Sequence, residues 1–347
     1  GDVYKRQAWH QSSCGIKHRV LRMQHVKITS SPGSSMFQTL IKLRVCLVIS
    51  CLIFPEACST TQNLTPHLSR TATEDFQFGL LLMAHGGATE WNTAVEAATY
   101  EIRDKYPVEI AFGMADAGSI EESVKRLESR GVQNVGVIRM FVSGESWRQR
   151  TKQILGIEEG APSKEKANKA SQPDMFMPMG FWKIETGLKF FVSEDGLADA
   201  DEMDDVLVSR IQGLSREPER EVAVVIANGT GSDEEDARCV QKITQRTEVA
   251  KDVLGLRDIK VFTLREDWFV KRGEAENNIR TYIEATSKNG LIPIVVPFRV
   301  HGFGPYARVL EGLDYKADGL GLLPHENVGL WVENQAEFLK GSAQNFE

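Results

Sequence analysis

Phe78-Gly-Leu-Leu-Leu-Met-Ala84 is an apolar run that ends in His85-Gly86-Gly87, and Val222-Ala-Val-Val-Ile-Ala227 is a second run that ends in Asn228-Gly229-Thr230-Gly231. Both runs are short, rich in leucine or β-branched residues, and stopped by glycine. That combination is typical of strands buried on both faces of a parallel sheet. We therefore expect each run to be the first strand of its own sheet.

The same order of patterns follows each run: helix, strand, helix, strand. In the first part of the chain these are Trp91–Lys105, Val108–Phe112, Ser119–Arg130 and Val135–Phe141; in the second they are Glu234–Val253, Ile259–Leu264, Glu274–Ser287 and Leu291–Phe298. A further strand and helix recur as Leu188–Val192 with Glu202–Leu214 and as Gly319–Leu323 with Asn327–Leu339. The repeated order predicts an α/β fold of two similar open parallel-sheet halves that face a cleft.

The halves are predicted at residues 76–157 plus 186–215 and at residues 220–341. Residues 158–185 are interpreted as an insertion or linker, because their first part, Glu158–Gln172, is rich in Lys, Glu, Ala and Ser. The acidic run Asp199–Asp205 predicts a solvated helix start, because acids favour the positive end of the helix dipole.

The residues before the first strand resemble processing signals. Residues 2–7 look like a translated sequencing adapter, so residues 1–35 are interpreted as an assembly artefact with upstream sequence. Residues 36–58 have the basic, apolar and small-residue order of an export signal, and 59–75 read as a tether. Cys58 or Cys51 fits a lipoprotein processing site, so periplasmic and lipid-anchored forms stay open, with a cytoplasmic location as the alternative. The apolar run Val45–Phe54 is too short to span a bilayer.

Composition and missing motifs exclude several functions. The net charge of −7 argues against nucleic-acid binding. Cys239 alone follows the first strand, so no disulfide framework is expected, and it is interpreted as a small buried side chain. The sequence has no GxxxxGK[ST], no GxGxxG strand-to-helix turn, no HExxH and no GxSxG elbow. These absences weigh against nucleotide hydrolysis, dinucleotide chemistry and serine hydrolysis. The oligomeric state is not indicated.

His85 is the leading functional candidate, because ligands of open α/β sheets bind beyond the carboxyl ends of the strands. Gly86 and Gly87 allow a tight turn that leaves the imidazole uncovered. A neutral imidazole binds divalent transition metals and accepts a proton near neutral pH. We predict a catalytic and metal-binding role for His85; a helix-capping or loop histidine is the alternative.

Other strand ends supply further candidates. His301, His325 and Glu145 are predicted metal ligands beside His85, with loop histidines and a surface acid as the alternatives. Glu266 is a second acid that reads more readily as surface. Glycine-rich turns allow the backbone to approach a flat ligand. The predicted substrate-binding residues are Gly86, Gly87, Ser143, Gly144, Asn228, Arg299, Gly302 and Gly304.

The stretches LLLMAHGG (80–87) and VEIAFGMADAGSIEESVKRLESRGVQNVGVIRMFVSG (108–144) resemble the CbiX-type sirohydrochlorin chelatases, class II chelatases related to ferrochelatase. The likeness covers roughly 78–155, with a weaker echo over 221–340. It implies a chelatase-like, flavodoxin-like topology and insertion of cobalt or iron, with nickel as an alternative, into a tetrapyrrole without a nucleotide. The many carboxylates of such a tetrapyrrole would need cationic partners. Four arginines lie near strand ends and are expected to supply them: Arg139, Arg148, Arg150 and Arg299.

The chain also departs from this family. The family usually has a second histidine just after the third strand of its catalytic half, where this chain reads Gly144-Glu145-Ser146-Trp147. Asn228 stands where the first half has His85. The second half therefore supplies a histidine through His301 or His325 to a composite site, or the protein only binds its ligand. An exported, non-enzymatic metal- or tetrapyrrole-binding protein is the alternative function, and a periplasmic small-molecule binder without metal is a third.

Overall fold

Two parallel sheets organise the protein, which we describe from a computed structural model over residues 77–170 and 179–346. The first sheet has the order β2-β1-β3-β4. Its strands are β1 (Phe78–Ala84), β2 (Val108–Phe112), β3 (Asn134–Arg139) and β4 (Lys189–Val192). The second sheet has the order β6-β5-β7. Its strands are β5 (Glu221–Ala227), β6 (Asp258–Thr263) and β7 (Ile292–Phe298).

This topology confirms the predicted fold class. Every residue of β1 and β5 is buried, as expected for strands covered on both faces. In both sheets the first strand lies inside and the next strand along the chain lies at its side, which is the flavodoxin-like arrangement. The predicted strand Gly319–Leu323 forms only an isolated bridge between Leu323 and His301, beside another between Lys316 and Ile294.

The helices follow the predicted order, with shifts at their ends. They are α1 (Thr89–Ala98), α2 (Ala117–Ser129), α3 (Arg148–Ile154), α4 (Lys164–Ala170), α5 (Glu202–Leu214), α6 (Asp233–Leu254), α7 (Phe269–Lys288), α8 (Tyr306–Val309) and α9 (Glu326–Gln344). The first predicted helix stops early and is followed by a 3₁₀ turn at Glu101–Asp104. Helix α6 begins at the Ser232 cap and ends at Gly255 in the left-handed region.

A middle layer of helices separates the two sheets. One apolar core contains alternate residues of β1 and β5, such as Leu80 and Val225, together with side chains of α1, α5, α6 and α9. The outer face of the first sheet packs on α2 and α3, and the outer face of the second packs on α7 and α8. The two sheets therefore share one core.

The halves exchange helices across this core. Helix α5, which follows β4, packs on β7 and α6, whereas α9, which follows the second sheet, packs on β3 and β4. Glycine permits the approach of α9: a methyl group on Gly136 would crowd Leu339, and one on Gly329 would crowd the Ala98 carbonyl. Each sheet thus has one face completed by the other half.

Several predictions fall outside the described residues. The artefact at 1–35, the export signal at 36–58 and nearly all of the tether at 59–75 lie before Gln77. The boundaries of the two halves stay a prediction, and α4 lies inside the segment 158–185 that was interpreted as a linker. Over residues 77–170 and 179–346, no helix has the length and apolar character needed to cross a membrane.

A buried carboxylate fixes the start of β5. Glu221 is fully buried, accepts hydrogen bonds from Ser215 and the Arg216 N–H, and pairs with Lys316 at 2.8 Å. Burial alone would raise the pKa of Glu221, but Lys316 and the other donors outweigh it and lower the pKa to about 2. The charged carboxylate therefore stabilises the fold.

We expect Lys316→Met to lower the free energy of unfolding by about 2 kcal/mol or more, because it leaves a buried carboxylate without its cation. Urea denaturation measures this. The stabilisation should be complete above pH 4.5, the ordinary pKa of the carboxyl group, and be lost as the pH falls toward 2. Lys288→Met is the matched control, because the Lys288–Glu284 pair lies at the surface. Equal effects of the two substitutions would contradict the account.

Candidate functional site

His85 lies at the carboxyl end of β1 with its side chain exposed. Its Nδ1 lies 2.7 Å from the Gly86 carbonyl oxygen, and its ring centroid lies 6.3 Å from that of Trp91. Gly86 has a φ of 76°, which a side chain would strain, and the Gly87 N–H donates to Asn92 at 3.0 Å. The turn thus presents an uncovered imidazole on a fixed backbone, as predicted from the glycines.

The loop after β3 joins the first half to α6. Ser143 donates to Glu235 at 3.4 Å, and Glu145 receives two hydrogen bonds from Arg238, at 2.8 and 2.6 Å. Arg238 lowers the pKa of Glu145, and it is the largest cause of that shift. Glu145, predicted as a metal ligand or a surface acid, therefore lies in an ion pair between the halves.

Gly144 has a packing role. A methyl group there would overlap the backbone of Glu194 and Gly196. Its carbonyl accepts a hydrogen bond from Arg139. The lack of a side chain at Gly144 therefore serves packing inside the first half, and its contact with substrate stays a prediction.

Three basic residues of α6 lie one helical turn apart and face the first half. Arg238 pairs with Glu145, Lys242 with Asp199 at 2.6 Å, and Arg246 with Asp201 and Asp204. The i, i+4, i+8 spacing places them on one side of the helix. The acidic run is a helix start, as predicted, but it is not simply solvated, because its acids contact this basic row.

Asp204 is the most constrained of these acids. Its side chain is 17% exposed, and its Oδ1 lies 3.3 Å from Arg246 Nε without hydrogen-bond geometry. Burial raises the pKa of Asp204 to about 6, and the attraction of Arg246 only partly offsets it. At neutral pH the charged form therefore costs stability.

A second group of polar side chains lies at the carboxyl ends of β6 and β7. Glu266 and Arg299 are 16% and 23% exposed and form an ion pair at 3.4 Å. The guanidinium of Arg299 lies 5.7 Å from the ring centroid of buried Tyr306. Burial raises the pKa of Glu266, with a smaller opposing effect of Arg299. Glu266, interpreted as a surface acid, is instead a largely buried carboxylate.

His301 lies beside this group on the chain. Its Nδ1 is buried and has no hydrogen-bond partner among the described residues. Gly302 has a φ of 70° and open space at its Cβ position, whereas a methyl group on Gly304 would overlap the Arg299 guanidinium. The Gly304 turn therefore accommodates Arg299, and the Gly302 turn stays open.

His325 occupies a different environment. It is the N-cap of α9, and its Nδ1 accepts a hydrogen bond from the Asn327 N–H at 3.2 Å. Burial and nearby Arg210 lower the pKa of His325. It lines a groove of about 710 Å³ between α1 and α9, to which His85, His301 and Glu145 do not contribute. The structure thus favours the capping alternative for His325.

The predicted metal ligands do not assemble into one group. In residues 77–170 and 179–346, no three His, Cys, Asp or Glu side chains converge in a way that could hold a metal ion. Asn228, at the end of β5, is half-buried and donates to the Gly229 carbonyl at 3.3 Å. The arrangement provides separate polar groups at the strand ends rather than a closed metal cage.

The arginines predicted to bind substrate carboxylates are already engaged. Arg139 is buried and donates to the carbonyls of Ser193, Gly144, Ser146 and Glu194, so its role is structural. Arg150 donates to carbonyls and lies over Phe181. Arg148 pairs with Glu194, and Arg299 pairs with Glu266. For Arg139 and Arg150 the prediction was wrong, because backbone carbonyls occupy their donors.

Comparisons with known proteins bear on the fold. No protein-family model matches the chain, and no curated protein matches it. SirB from Bacillus subtilis with Fe³⁺ is 15% identical, with a TM-score of 0.52, and the match covers 76% of this chain and 98% of SirB. The protein has a chelatase-like fold.

Two further structures match the chelatase-like chain. The sirohydrochlorin chelatase SirB from Bacillus subtilis subspecies spizizenii, in complex with cobalt, is 13% identical, with a TM-score of 0.48, covering 76% of this chain and 97% of that one. A multi-domain Deinococcus radiodurans protein with structural similarity to chelatases is 14% identical, with a TM-score of 0.47, covering 75% and 54%.

Sequence reasoning missed some residues near the carboxyl ends of the strands. Arg238 was not singled out, although its spacing from Lys242 and Arg246 is visible in the sequence. Trp268, Phe269 and Val270 are exposed at the start of α7, after the turn that follows β6, and were also missed. Three consecutive large apolar residues after an acidic pair were the available signal.

Strained backbone conformations also follow the carboxyl ends of several strands. The described non-glycine residues with positive φ are Met114, Trp147 and Arg265, which follow β2, β3 and β6. Such conformations cost free energy and persist where surrounding contacts fix them. Both sheets therefore concentrate strained turns at their carboxyl ends.

We expect the unfolding free energy to fall as the pH rises from about 4 to 6, because Asp204 binds its proton more tightly in the folded protein than in the unfolded chain. Asp204→Asn should remove this part of the slope and raise stability at pH 7.5. Urea denaturation at several pH values tests it, with Asp252→Asn, an exposed change of equal charge on α6, as control. An unchanged slope in Asp204→Asn would refute the assignment.

Proposed function

We propose that the protein binds a tetrapyrrole at the carboxyl ends of its strands and inserts a divalent metal ion into it, with cobalt or iron as the metal substrate and nickel as an alternative. The observation that carries this proposal is the uncovered imidazole of His85 at the end of β1 in a chelatase-like fold. The sequence resemblance over residues 78–155 supports a tetrapyrrole as the substrate and a sirohydrochlorin-type insertion reaction.

Insertion exchanges one divalent cation for the two pyrrole N–H protons, so the site needs a metal donor and proton acceptors. His85 has an exposed imidazole that can hand over a metal ion or take a proton. Glu266 is suited to proton acceptance, because burial raises its pKa toward the working range of a general base. We assign metal delivery to His85 and proton acceptance to Glu266, with His301 Nδ1 as a further acceptor.

Arg299 and Tyr306 position Glu266 in this proposal. The Arg299 ion pair holds the carboxylate, and the buried ring of Tyr306 lies against the Arg299 guanidinium. The first half would contribute the imidazole and the second half the carboxylate, so the site would be composite. The loop 143–145 and the start of α6 bring these edges into contact.

A non-enzymatic metal- or tetrapyrrole-binding protein is the second candidate. Two observations favour it: no three candidate ligands converge in the described part of the chain, and Glu145 is committed to Arg238. Export, with a periplasmic or lipid-anchored location, would suit this candidate and stays a prediction from residues 36–58. An assay of metal insertion distinguishes an enzyme from a protein that only binds its ligand.

We predict that the protein accelerates insertion of cobalt or iron into a tetrapyrrole, followed by the visible absorption change of the ring. His85→Ala should reduce the rate about a hundredfold, because the metal donor is lost. His325→Asn is the control, since asparagine retains the cap of α9 and should leave the rate unchanged. Ring binding without insertion in the wild type would favour the second candidate, and an intact rate in His85→Ala would overturn the assignment.

The rate of insertion should rise with pH through the raised pKa of Glu266, because only the ionised carboxylate accepts a proton. Glu266→Gln should lower the rate and remove this rising limb, while ring binding persists. Glu276→Gln, on α7 and paired with Arg272 near the surface, is the matched control. A rising limb that survives in Glu266→Gln would assign proton acceptance to another group.

A further inference from the structure

Trp268, Phe269 and Val270 form an apolar surface at the start of α7, which we call the apolar triplet. Their exposed fractions are 37%, 78% and 95%. They are the only consecutive run among the exposed large hydrophobic residues of the described chain. Isolated exposed apolar side chains are ordinary, but a contiguous group costs solubility and commonly marks a binding surface.

The apolar triplet lies at the proposed ligand edge. Only Asp267 separates it from Glu266, in the turn between the carboxyl end of β6 and the start of α7. Trp268 also covers Gly231, where a methyl group would overlap the indole ring. Gly231 precedes the cap of α6, and the first turn of α6 contacts the first half through Glu235. The triplet therefore adjoins the place where the two halves meet.

The charges around the triplet are unfavourable to a ligand with many carboxylates. Asp233, Glu234 and Glu235 begin α6, and Asp267 is exposed beside Trp268. Of the nearby cations, Arg265 and Lys271 both pair with Asp233, and Arg272 pairs with Glu276. The other candidate cations also have partners: Arg139 and Arg150 donate to backbone carbonyls, Arg148 pairs with Glu194, and Arg299 pairs with Glu266. A ring with many carboxylates would bring negative charge to an acidic edge whose arginines are occupied.

We propose that the ligand of the strand-end site is an amphiphilic tetrapyrrole with few carboxylates, whose apolar edge rests on Trp268, Phe269 and Val270. This inference rests on the proposed insertion activity and replaces its sirohydrochlorin-type ring with a tetrapyrrole of a less charged class. The flat apolar edge of such a ring covers the triplet, while its few carboxylates stay in water, away from the acidic start of α6.

Metal-free porphyrins with different numbers of carboxylates test this on the full chain: deuteroporphyrin, a dicarboxylate; coproporphyrin, a tetracarboxylate; and uroporphyrin, an octacarboxylate. Absorption and fluorescence titrations at fixed salt concentration give their affinities. We expect the affinity to decrease with each step in carboxylate number. Tightest binding of uroporphyrin would overturn the inference and leave the proposed function standing. Absence of binding to all the porphyrins and to sirohydrochlorin would overturn both.

The double variant Phe269→Ser with Val270→Ser tests the triplet itself. Both side chains are largely exposed, so the fold should tolerate the change. Deuteroporphyrin affinity should fall about tenfold or more, because the apolar contact is lost. Phe338→Ser, a change of an exposed phenylalanine on α9, is the matched control and should leave the affinity unchanged. Unchanged deuteroporphyrin affinity in the double variant would overturn the contact.

Two other occupants of the triplet are distinguished by the same proteins. Sedimentation would reveal a second copy if the wild type is a dimer that the double variant dissociates. Flotation with phosphatidylcholine vesicles would reveal a lipid surface if only the wild type floats. Either result would overturn the assignment of the triplet to the ring, whereas a monomer that does not float and binds deuteroporphyrin supports it.

Discussion

The exchange of α5 and α9 between the two halves is the constraint on which the rest of the structure depends. Each sheet has an inner face that is completed by a helix from the other half, so both sheets share one apolar core. The basic row of α6 then fixes the first half against the second through Glu145, Asp199 and Asp204. Because of these contacts, the loop that follows β3 and the start of α6, which follows β5, meet at Ser143 and Glu235.

The carboxyl-end edges of the two sheets have similar backbone arrangements but carry different functional side chains. His85 ends β1, whereas Asn228 ends the equivalent strand β5. The second half instead carries Glu266, whose pKa burial raises, together with Arg299. The proposed site would draw an imidazole from one half and a carboxylate from the other, and would not need a histidine in the stretch 144–147.

The sequence predicted seven of its eight expected strands and their order along the chain, because buried parallel strands such as 78–84 and 222–227 have a distinctive apolar pattern. The eighth, Gly319–Leu323, forms only an isolated bridge. The sequence could not predict the exchange of helices. The apolar period of α9 shows that one side of the helix is buried, but not which sheet buries it. Likewise Arg139 was assigned to a substrate because it stands at a strand end, whereas its partners include the Ser193 carbonyl, far along the chain. Glu266 looked like a surface acid because Arg299 and Tyr306, which interact with it, lie far along the chain.

The central claim is that both halves contribute to one ligand site at the strand ends. Hydrogen exchange measured by mass spectrometry, with and without metal-free deuteroporphyrin, tests this most directly. The account predicts slower exchange in residues 85–91 of the first half and in residues 228–231 and 266–270 of the second. Slowing confined to one half, or to the groove between α1 and α9, would contradict it.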